Sequence, residues 1–235
     1  MSLIILTGLT KAFGGLTAVD NLEFSVQEGE IAGLIGPNGS GKTTTFNLIT
    51  GILNPDSGTV IFDGVDITRH SSYEVARRGL GRTFQITRPF GQLTVFENML
   101  VPNTEMRTYS REQEDRIWSI LEELDIDHVA ENKADELSGG QQKLLELARV
   151  LMLNPKLILL DEPAAGVNPA LMDDIIERIH GLNEQGTTFL VVEHDMSVMN
   201  ELCDRLIVMD SGRKIADGTF NEIRQDPAVK EAYLG

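Results

Sequence analysis

The chain has 235 residues, of which 41% are hydrophobic, so it is long enough for one globular domain or for a domain with an inserted lobe. Its formal net charge of −16 argues against nucleic acid as a partner, because nucleic-acid binders normally carry a basic face. Cys203 is the single cysteine, which excludes an internal disulfide. No apolar run approaches the ~20 residues of a membrane-spanning helix, so a role at a membrane would require a partner.

The first third of the chain alternates between strand patterns and turns. Short strands are predicted at residues 3–6, 22–26 and 30–35, because apolar residues either alternate or form short runs there. Residues 57–68 are typical of a hairpin around an Asp63-Gly64 turn. Ser71 and Glu74 have the spacing of a capping box, which predicts a short helix.

Residues 36–44, Gly-Pro-Asn-Gly-Ser-Gly-Lys-Thr-Thr, complete the phosphate-loop pattern G-x-x-x-x-G-K-[ST]. Glycines let backbone N–H groups turn towards phosphate oxygens, Lys42 adds a positive charge, and the Thr43 hydroxyl can bind Mg²⁺. A chance glycine-rich turn is the alternative, but a predicted strand precedes this loop and a predicted helix follows it. The residues expected around the phosphates are Asn38, Gly39, Ser40, Gly41, Lys42, Thr43 and Thr44.

From residue 85 to residue 153 the pattern becomes helical. Capping boxes begin at Thr94 and Ser110, and apolar residues then recur at helical spacing. Ser138-Gly139-Gly140 leads into another helix, which has a broad apolar face and stops before Asn154-Pro155. Because this block separates two regions of strand pattern, we expect a helical lobe inserted into an α/β core.

The remainder of the chain returns to the pattern of a parallel sheet. The apolar runs 157–160 and 188–193 predict strands that are buried on both faces. A helix is predicted between them, from Asn168-Pro169 to Gly186. A hairpin around Ser211-Gly212 and a last short helix that begins at Thr219 complete the predicted elements.

Five segments resemble, in the same order, the motifs of ABC-type ATPases. They are the phosphate loop, Arg82-Thr-Phe-Gln85, Leu137-Ser-Gly-Gly-Gln-Gln142, Leu157-Ile-Leu-Leu-Asp-Glu-Pro163, and His194 after an apolar strand. The resemblance covers essentially the whole chain. It implies a P-loop NTPase core of residues 1–84 and 154–235 with an N-terminal antiparallel β subdomain, and an inserted α-helical subdomain of residues 85–153.

The resemblance also implies roles for the catalytic residues. Asp161 ends an apolar strand and is expected near Mg²⁺, together with Thr43 and Gln85. Glu162 is expected to orient the water that attacks ATP, and His194 to bind the γ-phosphate, in a reaction that depends on positioning and charge neutralisation. Taken alone, Gln85 is more typical of a surface glutamine, and only its place in the order of motifs assigns it to the site. A solvated acidic turn is the alternative for the Asp161-Glu162 pair. A buried carboxylate pair would need a cation.

A second anion site is predicted at the start of the signature helix. Ser138, Gly139, Gly140 and Gln141 place backbone N–H groups at a helix N-terminus, which suits a phosphate. In the family, the signature of one chain closes on the ATP of another chain. The resemblance therefore implies a head-to-tail homodimer, or a heterodimer with a paralogous ATPase subunit, that encloses two ATP molecules. A capped helix start without a ligand is the alternative.

Two further residues are assigned to the nucleotide base by resemblance. Phe13 precedes Gly14-Gly15 and is expected to stack on adenine, with Val19 beside it; a role in the core is the alternative for Phe13. The family often has Tyr at this position, and stacking tolerates other bases, so GTP stays open as a competitor of ATP. Asn168 stands where the family often has Asp, which leaves the role of position 168 open.

A narrower resemblance is to the ATP-binding subunits of prokaryotic branched-chain amino-acid importers. It rests on residues 82–85, 93–98, 162–169, 192–195 and 231–235. It implies import of branched-chain amino acids or related small amides, integral membrane permease subunits as partners, and a place on the cytoplasmic face of the membrane. Urea and short-amide importers and the lipopolysaccharide-export ATPase are related alternatives. A soluble ATPase of DNA repair or translation is the alternative of a different class.

Overall fold

The computed structural model describes residues 1–83, 89–103 and 110–234. Strands dominate the first third of the chain, helices its middle, and strands alternate with helices in the last third, as the sequence predicted. The strands are β1 (Ser2–Phe13), β2 (Leu16–Gln27), β3 (Ile31–Ile35), β4 (Ser57–Phe62), β5 (Val65–Asp66), β6 (Leu80–Arg82), β7 (Leu157–Asp161), β8 (Thr188–Val192), β9 (Arg205–Asp210) and β10 (Arg213–Gly218).

The helices occupy the segments between and after these strands. They are α1 (Lys42–Ile49), α2 (Ser72–Arg77), α3 (Val95–Leu100), α4 (Arg111–Glu123), α5 (Gly139–Leu151), α6 (Pro169–Glu184), α7 (Met196–Leu202), α8 (Phe220–Gln225) and α9 (Pro227–Leu234). Short 3₁₀ turns lie at Val101–Asn103, Asp127–Val129 and Ala134–Glu136. No helix among the described residues combines the length and the apolar character that crossing a bilayer requires.

A six-stranded sheet with the order β10-β9-β3-β8-β7-β6 forms the centre of the protein. Strands β9, β3, β8, β7 and β6 are parallel, and β10 runs antiparallel to β9. All residues of β3, β7 and β8 are buried, because alternate side chains enter two different cores. Ile158 and Leu160 pack in one core with α5 and α6, while Leu157 and Leu159 pack in the other with α1. The predicted strands buried on both faces are confirmed.

The second sheet is antiparallel, has the order β2-β1-β4-β5 and covers the α1 side of the central sheet. Its two long strands extend well beyond the predicted residues 3–6 and 22–26, as far as the Gly14-Gly15 turn. The sequence did not show this, because the outer halves of the strands are only partly buried and their apolar alternation is weak. The predicted Asp63-Gly64 turn is confirmed, with φ of 49° and 73° at its two residues.

Helix starts were predicted better than the elements at the edges of the fold. Capping boxes are present at Ser71, Thr94, Ser110 and Thr219, as their sequence spacing predicted. The helix after Thr219 is not the last, since α9 follows it. The edge strand β6 and the short helix α7 were also not predicted. Each has few residues and depends on contacts with neighbouring elements.

The predicted helical block shares one core with the sheet. Buried side chains of α3, α4 and α5 belong to the same hydrophobic cluster as those of α6, α7 and one face of the central sheet. A division of the chain into lobes at residues 85 and 153 stays a prediction.

Candidate active site

The phosphate loop connects β3 to α1 at the carboxyl end of the central sheet, where α/β folds bind their ligands. The loop passes so close to its neighbours that side chains are excluded. A Cβ atom at Gly41, where φ is 105°, would lie 2.4 Å from the Ala18 carbonyl oxygen. A Cβ atom at Gly36 would lie 2.1 Å from the Met209 carbonyl oxygen. These contacts explain why the loop needs glycine at both positions.

Lys42 is 6% exposed, and its ammonium group lies inside the loop. Its Nζ donates hydrogen bonds to the carbonyl oxygens of Gly36, at 2.8 Å, and Pro37, at 3.0 Å. Burial lowers the pKa of this ammonium group, and the negative charges of Glu162 and Asp161 oppose that shift. Helix α1 starts after Gly41 without a side-chain cap in the described structure. The loop therefore combines a buried cation with an uncapped helix N-terminus.

The other residues predicted around the phosphates differ in how exposed they are. Ser40 is buried, at 2% exposed, and its hydroxyl lies 3.5 Å from the Lys42 ammonium. Asn38, Gly39 and Thr43 are exposed, and Thr44 is half-buried. The Thr43 hydroxyl is therefore open to a ligand in the first turn of α1.

Asp161, the last residue of β7, forms an ion pair that sequence reasoning missed. Arg82 Nη2 donates to Asp161 Oδ2 at 2.8 Å, and both side chains are 7% exposed. Arg82 Nη1 also donates to Asn47 Oδ1 at 2.7 Å, and its guanidinium lies 5.5 Å from the centre of the Phe46 ring. The buried carboxylate thus has a resident cation, which excludes the solvated acidic turn. Only the pairing of β6 with β7 could have indicated Arg82, and β6 was not predicted.

Glu162 and His194 lie together at the ends of the neighbouring strands β7 and β8. Glu162 Oε1 is 3.1 Å from His194 Nε2, and the side chains are 18% and 46% exposed. The Glu162 backbone has a φ of 51°, unusual for a residue other than glycine, and its N–H donates to the Val192 carbonyl at 2.8 Å. Lys143 Nζ donates to the Glu162 carbonyl at 3.2 Å. The structure therefore places a carboxylate and an imidazole side by side at an accessible position.

The signature residues form the start of α5 and are exposed there. Gln141 N donates to Ser138 Oγ at 3.3 Å, and Ser138 N donates to Gln141 Oε1 at 3.0 Å. Ser138 and Gly139 are exposed, whereas Gly140 faces α6, where a Cβ atom would lie 1.8 Å from Leu171 Cδ2. The helix start is therefore capped by its own side chains and remains accessible.

The two residues assigned to the base have different environments. Phe13, at the tip of the β1–β2 hairpin, is 47% exposed, and Lys11 Nζ lies 5.6 Å from the centre of its ring. Its exposure contradicts the alternative of a core residue. Val19 is 0% exposed and packs in the core between the two sheets, so its side chain offers no surface to a nucleotide. The prediction for Val19 is corrected on this ground. Gln85 lies outside the described residues.

A P-loop ATPase is the class of protein that this fold and site define. The chain belongs to the ABC transporter family, whose model matches residues 19–165. A second family model, described as a branched-chain amino acid ATP-binding cassette transporter, matches residues 213–235.

Relatives of known name share about two fifths of the sequence. A probable branched-chain amino acid transport ATP-binding protein, LivG, of Archaeoglobus fulgidus is 40% identical, with 100% of this chain and 96% of the relative covered. The lipopolysaccharide export system ATP-binding protein LptB of Escherichia coli is also 40% identical, with 100% and 98% covered. This chain is therefore an ATP-binding, ATP-hydrolysing member of the family.

Solved structures of ABC transporter cassettes have the same fold as this chain. The ADP conformation of MJ1267, an ATP-binding cassette of an ABC transporter, has a TM-score of 0.93 at 38% identity and covers 100% of this chain and 99% of its own. A dimeric structure of the bacterial ABC transporter cassette MJ0796 has a TM-score of 0.82 at 29% identity, with 92% and 98% covered. The predicted ABC ATPase fold is confirmed.

Proposed function

We propose that this chain is the ATP-hydrolysing subunit of an importer of branched-chain amino acids or closely related small amides. The observation that carries the catalytic part is the Glu162–His194 pair, 3.1 Å apart, at the carboxyl edge of the sheet that also carries the phosphate loop. The match of residues 213–235 to a branched-chain amino acid transporter model supports the cargo class. The family found is a transporter family, which removes the support for a soluble repair or translation ATPase.

In this proposal the chain binds ATP by residues of three segments. The loop residues 38–44 surround the phosphates, and Lys42 exchanges its bonds to backbone carbonyls for bonds to phosphate oxygens. The exposed Phe13 ring stacks on the base. Glu162 orients the attacking water, and His194 binds the γ-phosphate while its ring lies against the Glu162 carboxylate. Gln85, the first residue of the predicted helical block, is proposed to contact Mg²⁺ or the attacking water.

The donor set also fits Mg²⁺. Mg²⁺ prefers oxygen ligands, and the exposed Thr43 hydroxyl and the Asp161 carboxylate supply them, with Gln85 as the further candidate. When bound, the ion would neutralise charge on the β- and γ-phosphates. Arg82 holds the Asp161 carboxylate in one orientation, so Asp161 can act directly or through a bound water.

We propose that two copies, or one copy and a paralogous ATPase subunit, close head to tail so that Ser138, Gly139, Gly140 and Gln141 of one chain cover the ATP of the other. The dimeric relative with a TM-score of 0.82 supports a paired state. Integral membrane permease subunits would complete the transporter, with this chain on the cytoplasmic face of a prokaryotic membrane.

The catalytic part is tested with Glu162→Gln, which retains the shape of the side chain and loses the carboxylate. The variant should bind ATP with near wild-type affinity, hydrolyse it about 10²- to 10⁴-fold more slowly, and collect as an ATP-bound dimer on gel filtration. Thr17→Ala, at an exposed position of β2, serves as a control that should leave the rate unchanged. Hydrolysis by Glu162→Gln at the wild-type rate would remove Glu162 from its assigned role.

Transport is tested by reconstitution with candidate permease subunits in vesicles. ATPase activity should rise when a binding protein loaded with leucine, isoleucine or valine is added, and should not respond to the unloaded binding protein. Lipopolysaccharide export is the second candidate, favoured by the 40% identity to LptB. Stimulation by lipopolysaccharide in the same vesicles, without a response to amino acids, would establish that function instead.

A further inference from the structure

Glu193 is a buried carboxylate between the two loops that carry Glu162 and His194. It follows β8 directly and is 5% exposed. Its Oε1 accepts a hydrogen bond from Ala164 N at 2.7 Å. Its Oε2 accepts hydrogen bonds from His194 N at 2.6 Å and from Asp195 N at 3.3 Å. One side chain thus joins the backbone after β7 to the backbone after β8.

The burial of this carboxylate requires stabilising partners, because a buried charge without partners is costly in free energy. No lysine or arginine forms an ion pair with Glu193 in the described ranges 1–83, 89–103 and 110–234. Its partners are three backbone N–H groups, which are fixed in place and make strong bonds to an ionised acceptor. Apolar side chains of the same size could fill the space, but they would leave these N–H groups without an acceptor.

The bonds of Glu193 lie next to a second connection between the same loops. The Glu162 N–H donates to the Val192 carbonyl at 2.8 Å, so the two loops are joined on either side of the Glu162–His194 pair. Without such joints, two loops at the edge of a sheet would move independently, and a 3.1 Å contact between their side chains would be lost often. The geometry therefore keeps the imidazole and the carboxylate at a constant separation.

The loop held by Glu193 also lies against the signature helix. A Cβ atom at Gly139 would be 3.6 Å from the Gly166 carbonyl oxygen, and Lys143 of α5 donates to the Glu162 carbonyl at 3.2 Å. A displacement of His194 would consequently be transmitted through Glu193 and Ala164 to the backbone beside Gly139.

We propose that Glu193 is a positioning residue that makes the loop after β7 and the His194 turn one rigid unit, and so sets the geometry of Glu162 and His194 for ATP hydrolysis. The proposal rests on the catalytic roles given to those two residues under the proposed function. Glu193 itself touches neither ATP nor water in this role; it acts through the backbone of its two neighbours.

The test is Glu193→Gln in the full-length protein. An amide has one acceptor oxygen, so its NH₂ group must face either the Ala164 N–H or the His194 N–H, and one joint is broken without a change of volume. We expect kcat to fall about 10- to 100-fold, because small displacements of reacting groups are costly. The ATP dissociation constant, measured by calorimetry, should change less than about twofold, since the phosphate loop is untouched.

Glu30→Gln is a matched control on the same sheet. Glu30 Oε2 also accepts a backbone bond, from Gln27 N at 2.6 Å, and Glu30 pairs with Arg205 at 2.6 Å, but its loop precedes β3 on the side away from His194. Both variants should lower the melting temperature, and only Glu193→Gln should lower kcat selectively. Equal loss of kcat in the two variants would show that Glu193 has a structural role alone and would overturn the proposal.

Dependence on Glu162 is tested by the double variant Glu162→Gln/Glu193→Gln. If Glu193 acts through Glu162 and His194, Glu193→Gln should reduce the rate less in the Glu162→Gln background than in the wild type, whereas fully additive losses would contradict the proposal. A Glu162→Gln single variant with full activity would instead refute the proposed function, which is a separate outcome.

Hydrogen exchange, compared between the wild type and a more conservative variant, tests these hydrogen bonds directly. The amide protons of Ala164 and His194 should exchange slowly with deuterium, and Glu193→Asp, whose carboxylate is one methylene shorter, should accelerate both. Unchanged exchange in Glu193→Asp, with unchanged kcat, would show that these bonds do not hold the two loops.

Discussion

Two glycine-rich helix starts, those of α1 and α5, differ in how they satisfy their N-terminal N–H groups. Helix α1 has no side-chain cap within the described structure, and the buried Lys42 ammonium lies in the loop before it. Helix α5 is capped by Ser138 and Gln141 and is exposed. The phosphate loop therefore has both charge and open donors for a triphosphate. The signature helix uses part of its donors itself, so we infer that it adds to a phosphate already held elsewhere.

The largest effect is expected from removing the Lys42 ammonium group from the phosphate loop. Lys42→Ala should lower kcat by at least about 10²- to 10³-fold, the loss typical of one preorganised electrostatic group. It should also weaken ATP binding strongly in calorimetry. The control Lys156→Ala removes an exposed lysine that pairs with Asp63, and its ATP affinity should equal that of the wild type. Near-normal affinity of Lys42→Ala would mean that backbone N–H groups suffice and that the two helix starts are equivalent.

The next largest effect distinguishes ATP binding to one chain from the closure of two chains around ATP. Ser138→Arg places bulk and charge at the exposed start of α5, so hydrolysis should be lost while ATP binding to the isolated chain stays intact. Mixed with Lys42→Ala, it forms heterodimers that retain one complete site, and part of the activity should return. Loss of ATP binding by Ser138→Arg alone would place both helix starts around one nucleotide in the same chain.

A smaller change distinguishes capping from ligand binding at Ser138. Ser110 and Gln113 form the same Ser-x-x-Gln box, with hydrogen bonds of 3.3 and 2.9 Å against 3.3 and 3.0 Å at Ser138. Ser138→Ala and Ser110→Ala should each lower the free energy of unfolding by about 1 kcal/mol. Only Ser138→Ala should also reduce ATPase activity. If urea unfolding and ATPase assays show equal losses in both variants, Ser138 is no more than a cap.

The smallest expected effect is proton uptake by Lys42 when ATP binds. Burial holds the pKa of Lys42 below its ordinary value of 10.5, so this lysine lowers stability at neutral pH, and that penalty shrinks as pH rises from its folded-state pKa towards 10.5. Bound phosphates should raise the pKa again. ATP binding should therefore take up protons increasingly as pH rises from about 7 towards that pKa.

Calorimetry in two buffers of different ionisation enthalpy measures this proton uptake. Ser138→Ala should retain it, because the start of α5 has no titrating group of its own, and Lys42→Ala should lose it. Proton uptake that persists in Lys42→Ala would have to come from another titrating group.

Local patterns in the sequence determined much of this protein. The phosphate loop, the capping boxes and the strands buried on both faces each depend on residues within a few positions of one another, so spacing alone predicted them. These features are the ones for which backbone geometry and side-chain type agree locally. Glu162 and His194 were each assigned to the ATP site by family resemblance, but their contact across 32 positions was not predicted.

Only the tertiary structure decided the features that depend on distant residues. Arg82 and Asp161 are 79 positions apart, and Ala164 and Glu193 are 29 apart. Val19 is buried because the antiparallel sheet covers it. The local sequence does not indicate such contacts. The pattern around a charged or apolar residue is the same whether its side chain contacts water, a ligand or another strand. The partner of each side chain depends on how the elements pack, and that packing depends on the whole chain.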